Sequence, residues 1–575
     1  MDRRARRWYN PAMNEAPRDQ RLSLVALALA ILVNLVAIDL PLMGGDDATL
    51  FASIAATMAK RGDFVGLYAW GEDWLDKPHL PFWLTAVSFR LFGIAGWSYR
   101  LPAFFAIVGA AYYTFRLATR FYGRTVGVWA AIILLTAEHT ILTSADVRAE
   151  PYVAFFVIAS TWYLIRVAED ARWRIASIAG GLFAAAAMMT KGPFTLVPVV
   201  GALGGHWLLR GRPAIAWRRW AMVVLVAAIG IAPELGALNA QFDRHPEKIV
   251  FGRTGVSGIR FFLWDSQFGR FLGTGPIHRG GGSLTFFAHT LLWVFLPWSF
   301  GLVLALVRRA RLLWARHLAP TEWYSLSGAT LMFVVFSVSQ FQLPHYLNII
   351  FPFLAILTAA EIQARASTAG FRLLARVQVG LLVIMVSAGV TIGLLTRPDG
   401  GVAVPFLAMA LVAAIPVVWR MAADNGVRLV TASVLAAAAV NLYLERGIYP
   451  TLLRYDGGPV AARYVNERYP DAAVVVARDH QLRGFDFGLQ RPPQYIRGLE
   501  DTSGVAARPY LLLMAVDGKE PPDPRTVHSF DNFSVSRPTI RFLNRKTRAG
   551  ALSRLDLVLI AGPSPAPAPT SLPHP

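Results

Sequence analysis

Long apolar segments recur along the chain, separated by short stretches rich in charge, glycine and proline. A helix needs about 20 predominantly apolar residues to cross the hydrocarbon core of a bilayer. On this basis we predict about thirteen membrane-spanning helices, at 22–43, 100–119, 126–143, 151–167, 175–190, 193–209, 219–237, 284–306, 324–340, 346–364, 376–395, 402–420 and 428–445. The first segment is too long for the apolar part of a signal peptide and leads into no small-residue cleavage site. The pattern therefore predicts a polytopic α-helical membrane protein.

The basic residues predict how the chain is oriented in the membrane. The formal net charge is +20, but the Lys and Arg residues cluster in alternate loops, as the positive-inside rule requires of cytoplasmic loops. An odd number of spans then places the N-terminus inside and the C-terminus outside. We attribute the charge to membrane topology, and we expect no nucleic-acid partner.

The same pattern divides the chain into four parts. We expect a basic cytoplasmic N-terminus, a transmembrane catalytic domain with outer loops, a small α/β domain outside the membrane and a disordered Pro-rich tail. Their boundaries are 1–21, 22–445 (outer loops 44–99 and 238–283), 446–562 and 563–575.

Two of the outer parts carry further patterns. Apolar residues at helical spacing in the loop 44–99, with nearby aromatic residues and Lys77, predict helices lying in the membrane interface. In the C-terminal part we predict a helix at Val460–Tyr469 and strands at Ala472–Arg478, Tyr510–Val516 and Asp556–Gly562.

Candidate chemistry comes from ionisable residues at one face of the membrane. Such residues are expensive to place in lipid and are therefore functional candidates. Those predicted at the outer face are Asp46, Asp47, Lys77, Glu150, Lys191 and Arg270, together with His345 and Tyr346. Cations suit a substrate phosphate, and a carboxylate can take a proton from an attacking group.

The sequence lacks the residues and motifs of several other kinds of functional site. The chain has no cysteine, which excludes disulfides and thiolate metal sites, and it has no GxxxxGK[ST], HExxH or GxSxG motif. We predict no metal site from the sequence, which leaves the use of a divalent metal open.

Each candidate also has a structural explanation. Asp46 or Asp47 can cap a helix, and Lys77 can extend towards the lipid headgroups. Lys191 can mark a break between two helices, His345 can be a hydrogen-bonded interface residue, and Tyr346 can anchor at the interface. Taken singly, the last three favour the structural explanation; their placement at one face favours a site.

Five stretches together resemble a known family, and a sixth adds to them. The five are DDATLFASIAATMAKRGDF (46–64), LDKPHLPFWLTAVSFRLFG (75–93), VRAEPYVAFF (147–156), MTKGPFTLVP (189–198) and SVSQFQLPHYLNIIFPFLAIL (337–357). The sixth is FGRFLGTGPIHRG (268–280), followed by LPWS (296–299). In this order they resemble the GT-C membrane glycosyltransferases that use polyprenyl-phosphate sugars, in particular the lipid A aminoarabinose transferases and the protein-mannosyltransferase-like enzymes.

The resemblance implies a role for each candidate. Asp47, selected by its spacing to Lys77, matches the catalytic carboxylate, with Asp46 as its neighbour, and Glu150 occupies a second acid position. Lys77, Arg270 and Tyr346 match residues near the donor phosphate, and we group His345 and Lys191 with them. The chain departs from the family at Ala48, where relatives usually have Glu, and ahead of Arg270, where the usual His or Glu is missing.

The resemblance also implies a function. We expect an inverting glycosyltransferase of the bacterial inner membrane that is active at the periplasmic face. It would move a sugar from a polyprenyl-phosphate donor to lipid A or another envelope glycan, as a monomer; no cofactor is implied, and the use of a divalent metal stays open. The alternatives are a protein O-mannosyltransferase-like enzyme, a transporter or flippase for the same lipid, and a non-catalytic scaffold. Candidates at one face and the absence of an internal repeat argue against a transporter.

Overall fold

A computed structural model describes residues 16–44, 47–169, 172–210, 216–277, 281–478, 484–498, 505, 509–515 and 524–560 of the chain. Asp46 and the Pro-rich segment 563–575 lie outside these residues, as does most of the basic N-terminus. The described part is mainly helical, with one five-stranded sheet near the C-terminus.

The helices follow the apolar pattern of the sequence. Their bounds are α1 (Pro17–Val33), α2 (Asp47–Arg61), α3 (Leu80–Phe92), α4 (Gly96–Tyr122), α5 (Arg124–Thr136), α6 (Glu138–Ala145), α7 (Glu150–Glu169), α8 (Trp173–Lys191), α9 (Val197–Arg210), α10 (Trp217–Leu238), α11 (Gly258–Arg260), α12 (Ser266–Leu272), α13 (Phe286–Val294), α14 (Ser299–Trp314), α15 (Glu322–Val338), α16 (Phe351–Ala366), α17 (Phe371–Thr396), α18 (Ala403–Met421), α19 (Asn425–Leu442), α20 (Tyr449–Leu452), α21 (Gly457–Arg468), α22 (Phe485–Gly488) and α23 (Ile540–Leu543).

The chain is a multi-pass α-helical membrane protein. Within the described residues, eight helices are long and apolar enough to cross a bilayer, or nine if α5 and α6, bent by 53°, form one span. Each of the thirteen predicted intervals overlaps at least one helix. The other intervals contain shorter or broken helices, so the number thirteen stays a prediction.

The first predicted span shows that the length of an apolar segment does not fix where its helix ends. We predicted a helix to residue 43, but α1 ends at Val33 and the chain continues in tight turns to Leu40. Asn34 donates its side-chain amide to the carbonyl oxygens of Ala30 and Leu135. Its backbone N–H bonds to Ile31 instead of Ala30, so the regular α-helical ladder stops there.

The helices differ strongly in burial. The segment Pro344–Ala366, which ends in α16, is 89% buried and α7 is 78% buried, whereas only 6% of α18 is buried. An apolar helix that is exposed over most of its surface is suited to contact lipid. The most buried pair therefore forms the interior of the bundle, and it carries Glu150, His345 and Tyr346.

Contacts divide the chain into two compact units. One comprises Met1–Leu40, Ala55–Leu67 and Asp73–Pro450. The other, which we call the C-terminal unit, comprises Thr451–Pro575 together with the short segments Pro41–Ile54 and Tyr68–Glu72. Helix α2 therefore contributes residues to both.

The strands confirm an α/β arrangement in the C-terminal region. Their bounds are β1 (Tyr68–Ala69), β2 (Glu72–Asp73), β3 (Ala473–Ala477), β4 (Gln494–Ile496), β5 (Tyr510–Ala515), β6 (Pro524–Asn532) and β7 (Ser553–Ile560). β1 and β2 form a separate pair. The larger sheet has the order β4-β3-β5-β7-β6, with β3 parallel to β4 and β5, and β7 antiparallel to β5 and β6.

Helix α21 covers one face of this sheet. Its Ala461, Ala462 and Val465 are buried against Leu511 and Leu513 of β5. β5 is buried along almost its whole length, as expected of a central strand with a continuous apolar run. The predicted helix and all three predicted strands are therefore present, while β4 and β6 were not predicted.

Candidate active site

Two predicted phosphate-binding residues meet at a carboxylate. Lys77 donates from Nζ to Asp76 Oδ2 at 2.6 Å, and Arg270 donates from Nη2 to Asp76 Oδ1. Lys77 lies in the turn before α3, and Arg270 lies in α12. One acid thus holds two cations from distant parts of the chain side by side.

The charge balance of this group is positive. Burial raises the pKa of Asp76, but the positive charges of Lys77 and Arg270 outweigh burial, and the pKa lies below its usual value. Asp76 is therefore ionised, and two cations share one negative charge. The remaining positive charge favours an anion at this place.

A second ion pair lies between two helix ends. Lys191, the last residue of α8, donates from Nζ to Oε1 of Glu150, the first residue of α7. Each charge suits its helix terminus, since acids are favoured at N-termini and cations at C-termini. His345 Nε2 lies 3.7 Å from the same Oε1 atom. Glu150 and Lys191 are less than 10% exposed.

The glycine after Lys191 allows a close approach of α12. Gly192 has a φ of +110°, which residues with a side chain rarely adopt, and a Cβ atom there would collide with the amide of Gln267. Gln267 lies three residues before Arg270. Gly192 therefore lets α12, which carries Arg270, lie close to Lys191 at the end of α8.

Aromatic rings connect the two charged groups. Lys191 Nζ lies 4.2 Å from the ring centroid of Tyr346, and Arg270 Cζ lies 5.6 Å from that of Phe341. The rings of Phe341 and Tyr346 are nearly parallel, with centroids 6.2 Å apart. Such cation–π contacts hold cations in place without neutralising them. Six of the eight predicted residues, all except the two aspartates, thus belong to one connected site.

Some polar atoms of this site have no protein partner. Within the described residues, Arg270 Nε and Glu150 Oε2 are buried and form no hydrogen bond. A buried donor without a partner is costly, and such groups are often completed by a ligand or by water. The described residues contain no group of three or more His, Asp or Glu side chains placed to hold a metal ion.

Asp47 is the first residue of α2 and is half-buried. Its position at a helix N-terminus is the one that the structural explanation anticipated. It belongs to the C-terminal unit, whereas the six connected residues belong to the other unit. Its catalytic role stays a prediction.

Comparisons with known proteins extend over most of the chain. Residues 76–236 match the family model of dolichyl-phosphate-mannose-protein mannosyltransferases. The solved structure of ArnT from Cupriavidus metallidurans bound to undecaprenyl phosphate superposes on 94% of this chain and 99% of its own, with a TM-score of 0.69 and 18% identity. The chain is thus similar to these enzymes and shares the fold of the ArnT structure.

Two curated relatives of this chain carry the same name. The undecaprenyl phosphate-alpha-4-amino-4-deoxy-L-arabinose arabinosyl transferase of Edwardsiella ictaluri is 26% identical over 62% of this chain and 62% of its own length. The enzyme of the same name from Yersinia enterocolitica is 27% identical over 59% of this chain and 58% of its own. The alignments thus span about three fifths of these relatives.

Sequence reasoning missed three residues that shape the site. Asp76 stands directly before Lys77, but nothing local indicates that it also binds Arg270. His79 and Glu234 form a buried pair close to the same turn. Glu234 offered a signal, because it is an acid within an apolar membrane span.

Proposed function

We propose that this protein is an inverting glycosyltransferase that moves a sugar from a polyprenyl-phosphate donor to an acceptor in the bacterial envelope, lipid A in the first place. The observation that carries the proposal is the junction of Lys77 and Arg270 at Asp76, with a buried, unpartnered Nε on the arginine. The names of the curated relatives and the phosphate lipid in the ArnT structure support the donor class.

The cations have a defined task in this reaction. When the acceptor oxygen forms its bond to the anomeric carbon, the bond from that carbon to the phosphate oxygen breaks, and negative charge grows on the phosphate. Lys77 and the free edge of Arg270 stabilise that charge, with bidentate geometry available to Arg270. A single displacement of this kind inverts the anomeric centre.

Acids complete the proposed assignment. Asp47 takes the proton of an acceptor hydroxyl, or orients an acceptor that is already ionised. Glu150 accepts a hydrogen bond from Lys191 and keeps that lysine extended towards the Tyr346 ring. It therefore acts as a positioning residue. We propose that the reaction takes place at the periplasmic face of the inner membrane.

Mass spectrometry of envelope components tests this function in cells. We expect a strain that lacks the gene to lose a pentose, hexose or amino sugar from lipid A, and wild-type protein to restore it. The variant Lys77→Met should fail to restore it. Arg491→Gln removes an exposed arginine that pairs with Asp471, and it is the matched control that should restore the sugar fully.

The same experiment separates the alternatives. Loss of hexose from secreted proteins, with lipid A unchanged, would instead indicate a protein mannosyltransferase, the activity named by the matching family model. Unchanged lipid A, glycans and proteins in the deletion strain would contradict a transferase function.

A further inference from the structure

In the C-terminal unit, Asp456 forms a hydrogen bond with the chain just before Asp47, the predicted catalytic residue. Gly44 donates its backbone N–H to Oδ2 of Asp456 at 2.5 Å, and Asp456 is 5% exposed. The two residues are 412 positions apart in sequence. Gly44 lies three residues before Asp47 and belongs to the same compact unit as Asp456.

Gly44 is also held through its carbonyl group. The Thr49 hydroxyl, in the first turn of α2, donates to Gly44 O at 3.3 Å. Thr49 is 1% exposed, so this bond is protected from competition by water. Gly44 is thereby tied to the first turn of α2, the helix that begins at Asp47.

A third contact is a close approach between Gly44 and Gly484. Gly484 adopts a φ of +90°, and a Cβ atom on it would lie 2.8 Å from Gly44 Cα and 3.0 Å from the ring of Pro459. Real Cβ atoms do not approach that closely. Two glycines therefore meet backbone to backbone, and a side chain at Gly484 would push Gly44 away.

We propose that Asp456 is a positioning residue through which the C-terminal domain fixes Gly44 and, through it, the first turn of α2 with Asp47. This gives the domain a function in the transferase without requiring it to touch substrate. The catalytic part of the inference rests on the proposed function, while the structural part stands on the Gly44 contacts alone.

The contacts predict a specific pattern among variants. Asp456→Ala removes the acceptor of the Gly44 N–H, whereas Asp456→Asn keeps an oxygen in its place. A small displacement of a catalytic group costs on the order of 100-fold in rate. We therefore expect Asp456→Ala to lower kcat on the order of 10- to 100-fold and to leave the affinity for polyprenyl phosphate unchanged, and Asp456→Asn to restore most of the activity.

Hydrogen–deuterium exchange of the full-length protein measures the positioning directly. We expect Asp456→Ala to increase exchange in the peptides that cover residues 41–54, and Asp456→Asn to leave it near the wild-type level. Thr49→Val removes the second bond with little change in volume, and it should raise exchange in the same peptides. Asp471→Ala, at an acid that is 86% exposed in the same domain, is the control without effect.

The outcomes separate the two proposals. Unchanged exchange at 41–54 in both Asp456→Ala and Thr49→Val would overturn the positioning role, whatever the activity. Increased exchange with an unchanged kcat would overturn its importance for transfer. A wild-type protein that transfers no sugar would refute the proposed function, and the exchange data would still decide whether Asp456 fixes Gly44 and the first turn of α2.

Discussion

His79 and Glu234 form a buried pair that fastens the turn of Lys77 to α10. His79 Nδ1 lies 3.0 Å from Glu234 Oε1, and the His79 backbone N–H donates to Oε2 of the same carboxylate at 2.9 Å. The other ring nitrogen, Nε2, lies 2.9 Å from the carbonyl oxygen of Val65. Both ring nitrogens of His79 therefore face oxygen atoms, and the Glu234 carboxylate also holds the backbone of the turn.

This geometry predicts that Glu234→Leu disturbs phosphate binding from a distance. Leaving a buried polar group without its hydrogen-bond partner costs about 1–3 kcal/mol, and both the ring and the backbone N–H of His79 would lose theirs. We expect a lower apparent melting temperature and weaker binding of polyprenyl phosphate, measured by fluorescence and by a lipid-binding assay. Glu234→Gln keeps an acceptor for the backbone N–H and should have the smaller effect.

An exposed pair of the same type provides the control. His245 and Glu247 lie 2.9 Å apart, and both are well exposed. Such surface pairs contribute little to stability, so Glu247→Gln should change neither quantity. Equal effects of Glu234→Leu and Glu247→Gln would contradict the role assigned to the buried pair.

Asp76→Asn should separate affinity from turnover. The substitution removes the charge shared by Lys77 and Arg270, so the site becomes more positive and less ordered. We expect polyprenyl phosphate to bind more tightly and transfer to fall about tenfold or more, since the cations are no longer held in one arrangement. Equilibrium binding and initial rates measure the two effects, with Asp471→Asn as control. Weaker binding would show that Asp76 does not act by neutralising these cations.

Lys191 and Glu150 should behave as a coupled pair. Lys191→Met leaves the Glu150 carboxylate buried without its partner, which should destabilise the protein by about 3–5 kcal/mol. The double variant Lys191→Met, Glu150→Gln removes both charges and should recover much of the stability without recovering activity. A double-mutant cycle of melting temperatures and rates tests this. Additive losses of stability would mean that the pair is not energetically coupled.

Stability should depend on pH through Asp456. Burial raises the pKa of Asp456 to about 7, and the hydrogen bond from Gly44 opposes this only in part. Because the folded carboxyl binds its proton more tightly than the unfolded one, the free energy of unfolding falls as pH rises from about 4 to about 7. Asp456→Asn cannot ionise and should reduce this slope in melting temperatures recorded across that range. Asp486, whose pKa is also raised by burial, should preserve part of the slope. Parallel curves for the variant and the wild type would contradict the assignment.

The sequence predicted those features that depend on short stretches of chain. The apolar runs of β3, β5 and β7 predicted these strands correctly, because a short continuous apolar run is typical of a buried strand. β6 was not predicted, because its sequence PRTVHSFDN mixes polar and apolar residues, as edge strands can. The end of α1 depended on one amide, Asn34, which reaches across to Leu135.

The candidate site divides in the same way. Lys77, Arg270 and Lys191 could be named from motifs, since each lies in a recognisable local pattern. That Asp76 joins the first two, and that Asp456 holds Gly44, depends on contacts between distant segments. No periodicity or local spacing encodes such contacts, and only the folded chain reveals them.

Transfer by the purified, lipid-reconstituted protein tests the central claim most directly. The assay supplies polyprenyl-phosphate sugars, including 4-amino-4-deoxy-L-arabinose, with lipid A as acceptor, and it detects products by mass spectrometry. We predict glycosylated lipid A and free polyprenyl phosphate with the wild type. We predict neither with Asp47→Asn, while that variant still binds the phosphate lipid. Near-normal transfer by Asp47→Asn would contradict the assignment of the base, and bound donor without product in the wild type, across all sugars supplied, would contradict the account as a whole.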